Sequence, residues 1–526
     1  MNRIIGYTIV ALFVSATTAF AQQRSAKRGM GWDEANQQLT NAPLQKMAPG
    51  VSWIYNWGQT VQGTPTVIGQ GDGKIAYAPM CWNGDFNETA LRNYLTTHQG
   101  EVEFLLGFNE PNLTWNHGGS QMTPQQAANA WPKVKQIAKD FGLKLVAPAL
   151  NFSGDQVSGR VWSPFEWYDE FFRLCTDTEI EYLAFHSYMN WYSAVNWVAT
   201  EYFYTDKEDG NLMSATNKAQ YPNLVKFLED FKTANGHYPQ MMLTEFCSWE
   251  GDKDGYVSSV NSQIDQMTQK IQKLEQSDLV AGYAWFMGNT TQAPTVYPYN
   301  SIFQSNTASS QLSELGQVYV YMSAFDKEKY YASGETVLAK DYVDASMDNQ
   351  QVKVRPNSDT GSDVPLQIEL QSGAWATYQV DIPETAVLTL NMRAKSEGDN
   401  NVRIYYDEFK STRKIFDGTV ASTANTWADR EVVSTKNIPA GKHTIIIWNG
   451  SSTSLFLNSF QVSVPTGINT IVQSDNFLDK PSAERVQSDD DAVYDLSGRK
   501  VSNGKLSNGQ MPKGIYIYKG KKVVVK

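Results

Sequence analysis

Cysteine is scarce in this chain of 526 residues, with only Cys81, Cys175 and Cys247. An odd count cannot complete a disulfide framework, so the three thiols read as small buried hydrophobes. Histidine is as sparse: His98, His117, His186, His237 and His443 show no i, i+4 pair or other metal-ligand spacing, which argues against a catalytic metal and leaves no cofactor expected. No stretch is strongly basic and the formal net charge is -11, which speaks against a nucleic-acid backbone as partner. Beyond the N-terminal segment no apolar run approaches the ~18 residues of a membrane span. No heptad or internal repeat suggests assembly, so a monomer is expected.

What is present begins with Met1 to Ala21, which has the form of a secretory signal: Arg3, the apolar run Ile4 to Phe13, and the small-x-small site Ala19-Phe20-Ala21. The remaining length accommodates about three domains and a large core. The chain carries 15 Trp, 27 Tyr and 23 Phe. Such rings stack on the C–H faces of sugars and also fill cores, so the count permits carbohydrate binding without requiring it.

From Lys27 to about Met322 short apolar runs alternate with helix-like segments, the pattern of parallel strands joined by crossover helices. Eight runs can be read: Arg28 to Trp32, Val51 to Asn56, Ile75 to Met80, Glu103 to Asn109, Leu143 to Ala149, Tyr182 to Tyr188, Met241 to Glu245 and Ala281 to Met287. The first is weak, the rest clear, and eight closes a (β/α)8 TIM barrel. Thr123 and Pro124 open a helix ended by Gly142, within which Pro132 should cause a kink or a late start. Val260, Ile264, Met267, Ile271 and Leu274 step by four, three, four and three, a helix face laid against the barrel. The connection Asn190 to Tyr221, which carries Trp191, Tyr192, Trp197, Tyr202, Phe203 and Tyr204, is long enough to form a wall of a cleft.

Two of these runs end in carboxylates. Glu110 stands in Gly107-Phe108-Asn109-Glu110-Pro111-Asn112 after run four, and Glu245 closes Gln240-Met241-Met242-Leu243-Thr244-Glu245-Phe246 in run seven. Strand C-termini are where a barrel gathers its catalytic groups, and two carboxylates suffice to break a glycosidic bond. Either alone reads as a solvated loop residue. Together, Asn109-Glu110-Pro111 and Thr244-Glu245-Phe246 resemble the retaining glycosidases of the clan A barrel type, and most closely glycoside hydrolase family 128, the endo-β-1,3-glucanases. The resemblance covers residues 27–325. It implies Glu245 as nucleophile, Glu110 as acid/base, and Trp285 on strand eight as the rim tryptophan beneath the sugar at the cleavage point. Asn109 is placed to bond the sugar 2-OH, and His186 or Tyr188 to orient Glu245. Trp57, Trp82 and Trp115 follow strands two, three and four, each either a sugar platform or local packing.

After Ala324 the periodicity changes to two, and residues 334–464 read as an all-β jelly-roll sandwich. Gly373-Ala374-Trp375-Ala376-Thr377-Tyr378, Pro439 to Ile445 and Phe456-Leu457-Asn458-Ser459-Phe460 resemble carbohydrate-binding module family 6. That likeness implies Trp427 and Asn458 as the sugar site, with Trp375 or Trp448 as the partner ring. Such modules often carry a structural calcium, but no ligand set for one is legible here. Residues 465–492 read as a flexible linker, and 493–526 as a small β C-terminal domain that resembles the sorting domain of the type IX secretion system of Bacteroidetes.

These resemblances imply a secreted or cell-surface endo-β-1,3-glucanase acting on laminarin- or curdlan-type polysaccharide, with another retaining clan A endo-glycosidase (a mannanase or β-1,3-xylanase) or a non-catalytic glycan-binding surface protein as alternatives. The fold by itself would not choose among them.

Overall fold

The computed structural model describes residues 24–175, 179–188, 219–250, 256–289, 299–307, 309–347 and 351–464, and four C-terminal strands. The signal segment, most of the 190–221 connection and the 465–491 linker stretch lie outside the described residues.

All eight expected strands form, each within a few residues of its apolar run: β1 (Arg28–Gly31), β2 (Trp53–Tyr55), β3 (Ala76–Tyr77), β4 (Phe104–Leu106), β5 (Lys144–Val146), β6 (Tyr182–Ser187), β7 (Gln240–Phe246) and β8 (Val280–Trp285). They are parallel and lie in the order β3-β2-β1-β8-β7-β6-β5-β4. A single parallel bridge, Met80 to Leu106, joins the two ends of this path into a barrel-like sheet, with Leu106 N–H donating to Pro79 O. The weak first run is a full strand, paired with both β2 and β8. Its sequence is poor in apolar residues for a steric reason. A Cβ at Gly29 would lie 2.2 Å from the Trp53 indole, which fills the barrel there.

Side-chain parity decides what faces where. Successive strand residues point to opposite faces. Inside the barrel stand Trp53, Tyr55, Leu106, Val146, Tyr182, Ala184, Met242 and Ala284. Leu105, Leu183, Leu243, Tyr283 and Trp285 face outward into the layer beneath the helices.

That layer is covered by α1 (Asn41–Met47), α2 (Glu88–Thr97), α3 (Pro124–Phe141), α4 (Pro164–Leu174), α5 (Pro222–Asn235), α6 (Val260–Gln276) and α7 (Glu314–Tyr321). Helix α3 opens with a capping box in which Thr123 and Gln126 satisfy each other's backbone N–H, and ends at Gly142 in the left-handed conformation. Pro132 lies inside this helix, which begins at Pro124, so of the kink or late start expected there the late start does not occur. The flanking Trp131 and Val134 are fully buried. Trp131 meets Phe108 and Phe171 edge-on at 5.5 Å, burial that stabilises by about 2–3 kcal/mol and anchors α3 behind the chain leading to Glu110.

The next unit is two sheets, antiparallel except that Tyr331–Ala332 pairs in parallel with Trp375–Ile382. One runs Tyr331–Ala332, Trp375–Ile382, Gly441–Asn449, Asn400–Tyr406, Lys414–Val420; the other Val352–Pro356, Leu366–Leu370, Leu455–Ser463, Thr389–Lys395, Ala428–Val433. It packs directly on the barrel. Asp265 of α6 pairs with Lys353 at 2.7 Å and Arg355 at 2.8 Å, and Gln272 donates to Ala345 O and Asp344. Helix α6 is thus covered on two sides. Ile264, Met267, Ile271 and Leu274 are buried as its spacing predicts, and so are Gln266, Gln269, Lys270 and Gln272. The C-terminal strands Lys500–Asn503, Ala492–Asp495, Gly514–Tyr518 and Lys521–Val525 form a separate antiparallel sheet in that order. Among the described residues no helix is long and apolar enough to cross a membrane.

Candidate active site

Glu110 and Glu245 stand together at the C-terminal ends of β4 and β7, with His186 from β6 between them. One ligating atom from each of the three lies within 4.8 Å of the others. Glu110 has φ +43°, a left-handed conformation that non-glycine residues rarely adopt. It is held there by its N–H donating to Ala149 O and by its own C=O accepting from Leu113. Glu245 reaches the cleft through an irregularity. Met242 and Thr244 face inward, so alternation would turn Glu245 outward, but the register between β7 and β6 shifts between Leu243 and Glu245. Such a bulge re-aims a side chain, and here Thr244 and Glu245 both arrive beside His186.

Donors surround Glu245. Trp57 Nε1 donates to Oε1 at 2.7 Å and Tyr188 Oη to Oε2, while Tyr55 Oη, which donates to Thr244 O at 2.9 Å, stands 3.3 Å from Oε1. Burial, followed by the charge of Glu245, raises both tyrosines well above the usual phenol value, so they remain O–H donors. Burial is the largest influence on the Glu245 carboxyl and leaves it above the ordinary glutamate value; the charge of His186 pulls it back, Glu110 adds to the push, and the bonds from Tyr188 and Trp57 oppose it. At His186, burial opposes a charge, but the carboxylates of Glu245 and Glu110 outweigh burial and raise its pKa above the ordinary histidine value. Its Nδ1 lies 2.7 Å from Glu110 Oε1 and 3.3 Å from Glu245 Oε2, and its Nε2 is 3.0 Å from Thr244 Oγ1.

The sign of the pH effect follows. A group that holds its proton more tightly folded than unfolded stabilises the fold at low pH and loses that contribution as pH rises through its folded pKa. Thermal stability is therefore expected to fall as pH rises above 6.5, the ordinary histidine value, and His186→Gln should flatten that fall. Melting curves for both proteins across this range test it, and an unchanged slope in the variant would place the proton elsewhere.

The glycosyl hydrolase catalytic core family matches residues 29–209 and 212–319, more than half of the chain and all of the barrel-like sheet except the first residue of β1. The chain belongs to this family. A curated relative, the alkali-sensitive linkage protein 1 of Schizosaccharomyces pombe, is 23% identical over 296 residues, 56% of this chain and 44% of that protein. The matched stretch thus spans less than half of the relative's length. Among solved structures, a glycoside hydrolase family 128 subgroup II endo-β-1,3-glucanase from Pseudomonas viridiflava is 29% identical, covering 57% of this chain and 98% of its own, with a TM-score of 0.41. The subgroup II enzyme of Sorangium cellulosum is 26% identical, covering 56% and 97%, TM-score 0.38. A family 6 carbohydrate-binding module from Clostridium stercorarium, in complex with cellobiose, is 16% identical over 26% of this chain and 98% of its own, TM-score 0.22.

Within this glycosyl hydrolase core the aromatics divide. Trp57 is at the site, continuing the inward series Trp53, Tyr55 and bonded to Glu245. Trp82 and Trp115 pair with each other at 4.9 Å, Trp115 exposed, and Trp82 O accepts from Asn109 N–H. Trp285 is not a rim residue. It is fully buried, its indole donating to Asn300 O and packed on Phe246 and Tyr319, because it shares the outward parity of Tyr283. Phe286, one residue on, meets Trp57 at 5.9 Å and Tyr188 at 5.3 Å. Asn109 is buried, with Nδ2 on Gly118 O and its Oδ1 unpartnered among the described residues.

Sequence reasoning missed Tyr55, Asn151 and Trp249, which packs on Tyr188 at 5.1 Å. Tyr55 was legible from its parity with Trp53 and Trp57. Asn151, beyond the break at Pro148, carried no signal. The metal-like grouping of Glu110, His186 and Glu245 was also unforeseen from spacing, since it is assembled from three strands.

In the sandwich, Asn458 does not face an open site. It is fully buried, its Nδ2 on Asp359 and its Oδ1 accepting from Ser459. Trp427 is half-buried, its indole on Ser358 and its face under Lys395. Neither Trp375 nor Trp448 partners it: these two lie opposite each other on the other sheet, Trp375 against Phe409 and Trp448 under Arg403. Lys340 and Asp341 form a buried ion pair at 2.5 Å.

Proposed function

We propose that this chain is a secreted endo-β-1,3-glucanase that hydrolyses laminarin- and curdlan-type glucans with retention of anomeric configuration. The observation that carries the reaction class is the meeting of Glu110 and Glu245 at the strand ends, one carboxylate oxygen of each lying within 4.8 Å of the other, in keeping with the short separation, roughly 5–5.5 Å between carboxyl groups, of retaining pairs. Glu245 attacks the anomeric carbon as the C–O bond to the leaving sugar breaks and Glu110 gives its proton to the departing oxygen. Water then attacks the glycosyl-enzyme, Glu110 takes the water's proton, and Glu245 is released as a carboxylate. The unpartnered Oδ1 of Asn109 supports its role as acceptor for a sugar hydroxyl.

The β-1,3 linkage rests on the resemblance carried by Asn109-Glu110-Pro111 and Thr244-Glu245-Phe246. In the same reading residues 1–21 direct export, 27–325 cut, 334–464 form a jelly-roll module that holds the polysaccharide, and 493–526 address the protein to type IX secretion. Reducing-sugar release from laminarin, carboxymethyl curdlan, mannan and xylan tests the linkage. Release from the first two only is expected. Cleavage of mannan or xylan instead would replace the substrate while leaving the mechanism standing, and binding without cleavage would make the chain a glycan-binding protein.

A further inference from the structure

The motif around Glu110 ends in Asn112, a residue the reaction above does not use. Asn112 is buried, and its amide makes two bonds to one backbone unit: Oδ1 accepts from Asn151 N–H at 3.1 Å and Nδ2 donates to Asn151 O at 2.6 Å, with a further bond to Trp162 O. Asn151 lies in a two-residue strand, Leu150–Asn151, that resumes after Pro148 and pairs directly with His186 of β6. From there its Nδ2 donates to Glu110 Oε1 at 2.6 Å. His186 Nδ1 approaches that same oxygen at 2.7 Å. Glu110 Oε2 has no partner among the described residues.

A carboxyl oxygen has two lone pairs in the carboxyl plane. Two donors on Oε1 fill both, so that oxygen has no place for a proton. The terminal torsion of a glutamate is broad and roughly two-fold, so without such donors the two oxygens exchange freely. We propose that Asn151, clamped by Asn112, is a positioning residue that confines the acid proton of Glu110 to Oε2, keeping the proton on the one oxygen left free for the glycosidic oxygen. This rests on the reading of Glu110 as acid/base.

The test uses leaving groups, because a departing anion that is stable by itself needs no proton. Wild type, Asn151→Ala and Asn151→Ser are compared by kcat/KM on laminari-oligosaccharides and on aryl β-laminaribiosides from 4-nitrophenyl to 2,4-dinitrophenyl, with melting temperatures measured alongside. Misplacing a reacting group costs about 10–10²-fold. That loss is expected on the oligosaccharides in both variants, with less than about threefold on the dinitrophenyl substrate, so the dependence of kcat/KM on leaving-group acidity steepens. Equal losses on both substrates would make Asn151 merely structural, and no loss on either would leave it without a role; each overturns the proposal. The Ser variant keeps a polar side chain too short to reach Oε1, so it gives the result if the Ala variant does not fold. Wild type inactive on every substrate would instead overturn the acid/base reading beneath it.

Discussion

Glu245→Ala is expected to lose at least about 10⁴-fold in kcat on β-1,3-glucan and to regain activity with azide by forming the α-glycosyl azide. Removing the side chain opens a space where the nucleophile stood, and a small anion entering it attacks the anomeric carbon from the same face. The displacement is then single, so the product is inverted. Glu110 is still present to protonate the leaving group. Glu110→Ala should fail differently: glycosylation of Glu245 slows by about 10²–10⁴-fold for a sugar leaving group, while azide accepts the glycosyl group from Glu245 and gives the β-glycosyl azide through two inversions. Product configuration therefore assigns each carboxylate its role. The same anomer from both variants, or azide rescue of neither, would refute the double displacement. The bonds from Trp57 and Tyr188 hold the Glu245 carboxyl in place at the end of β7, as an attacking group requires.

Asp265→Ala should destabilise the protein by about 2–3 kcal/mol without touching the site. Asp265 faces Lys353 and Arg355 across the contact between α6 and the sandwich, and all three side chains are largely withdrawn from solvent. An exposed pair would be worth little. Here the loss of one anion removes the carboxylate that Lys353 and Arg355 share in a largely buried contact, the situation in which breaking a pair costs several kcal/mol. The same contact holds Gln272 and Gln276 on Asp344 and Ser323 Oγ on Tyr342 O, so barrel and sandwich should unfold together in the native protein. Calorimetry is the measurement. One transition that moves down or splits in the variant is expected, whereas a variant that melts like the native protein would mean the contact contributes nothing.

The strands and most helices were legible because they obey local periodicity. Even the weak first run was real, with the Trp53 ring against Gly29 and the Trp57 ring and Tyr55 hydroxyl against Gly31. The errors have a common origin. Trp285 was placed at the rim by resemblance, although Gly282 and Ala284 mark the inward positions of β8 and leave Tyr283 and Trp285 to the outer layer. Asn458 was given a ligand role by its motif, and packing against Asp359 closed it off. Of the kink or late start expected at Pro132, the late start does not occur, since the helix opens at the Thr123 cap and runs on through the buried Trp131 and Val134.

Sequence alone determined the pair of strand-terminal carboxylates, the number of strands, the change from helical to two-residue period near Ala324, and the scarcity of thiols, since each depends on neighbours along the chain. The tertiary structure decided which groups meet. The bulge that brings Glu245 to the cleft, the left-handed turn at Glu110, the placing of His186 between the two carboxylates and the clasp of Asn112 on Asn151 arise from strands distant in sequence. Each is a compromise between packing and hydrogen bonding across the barrel, and that balance is set only when the strands are side by side.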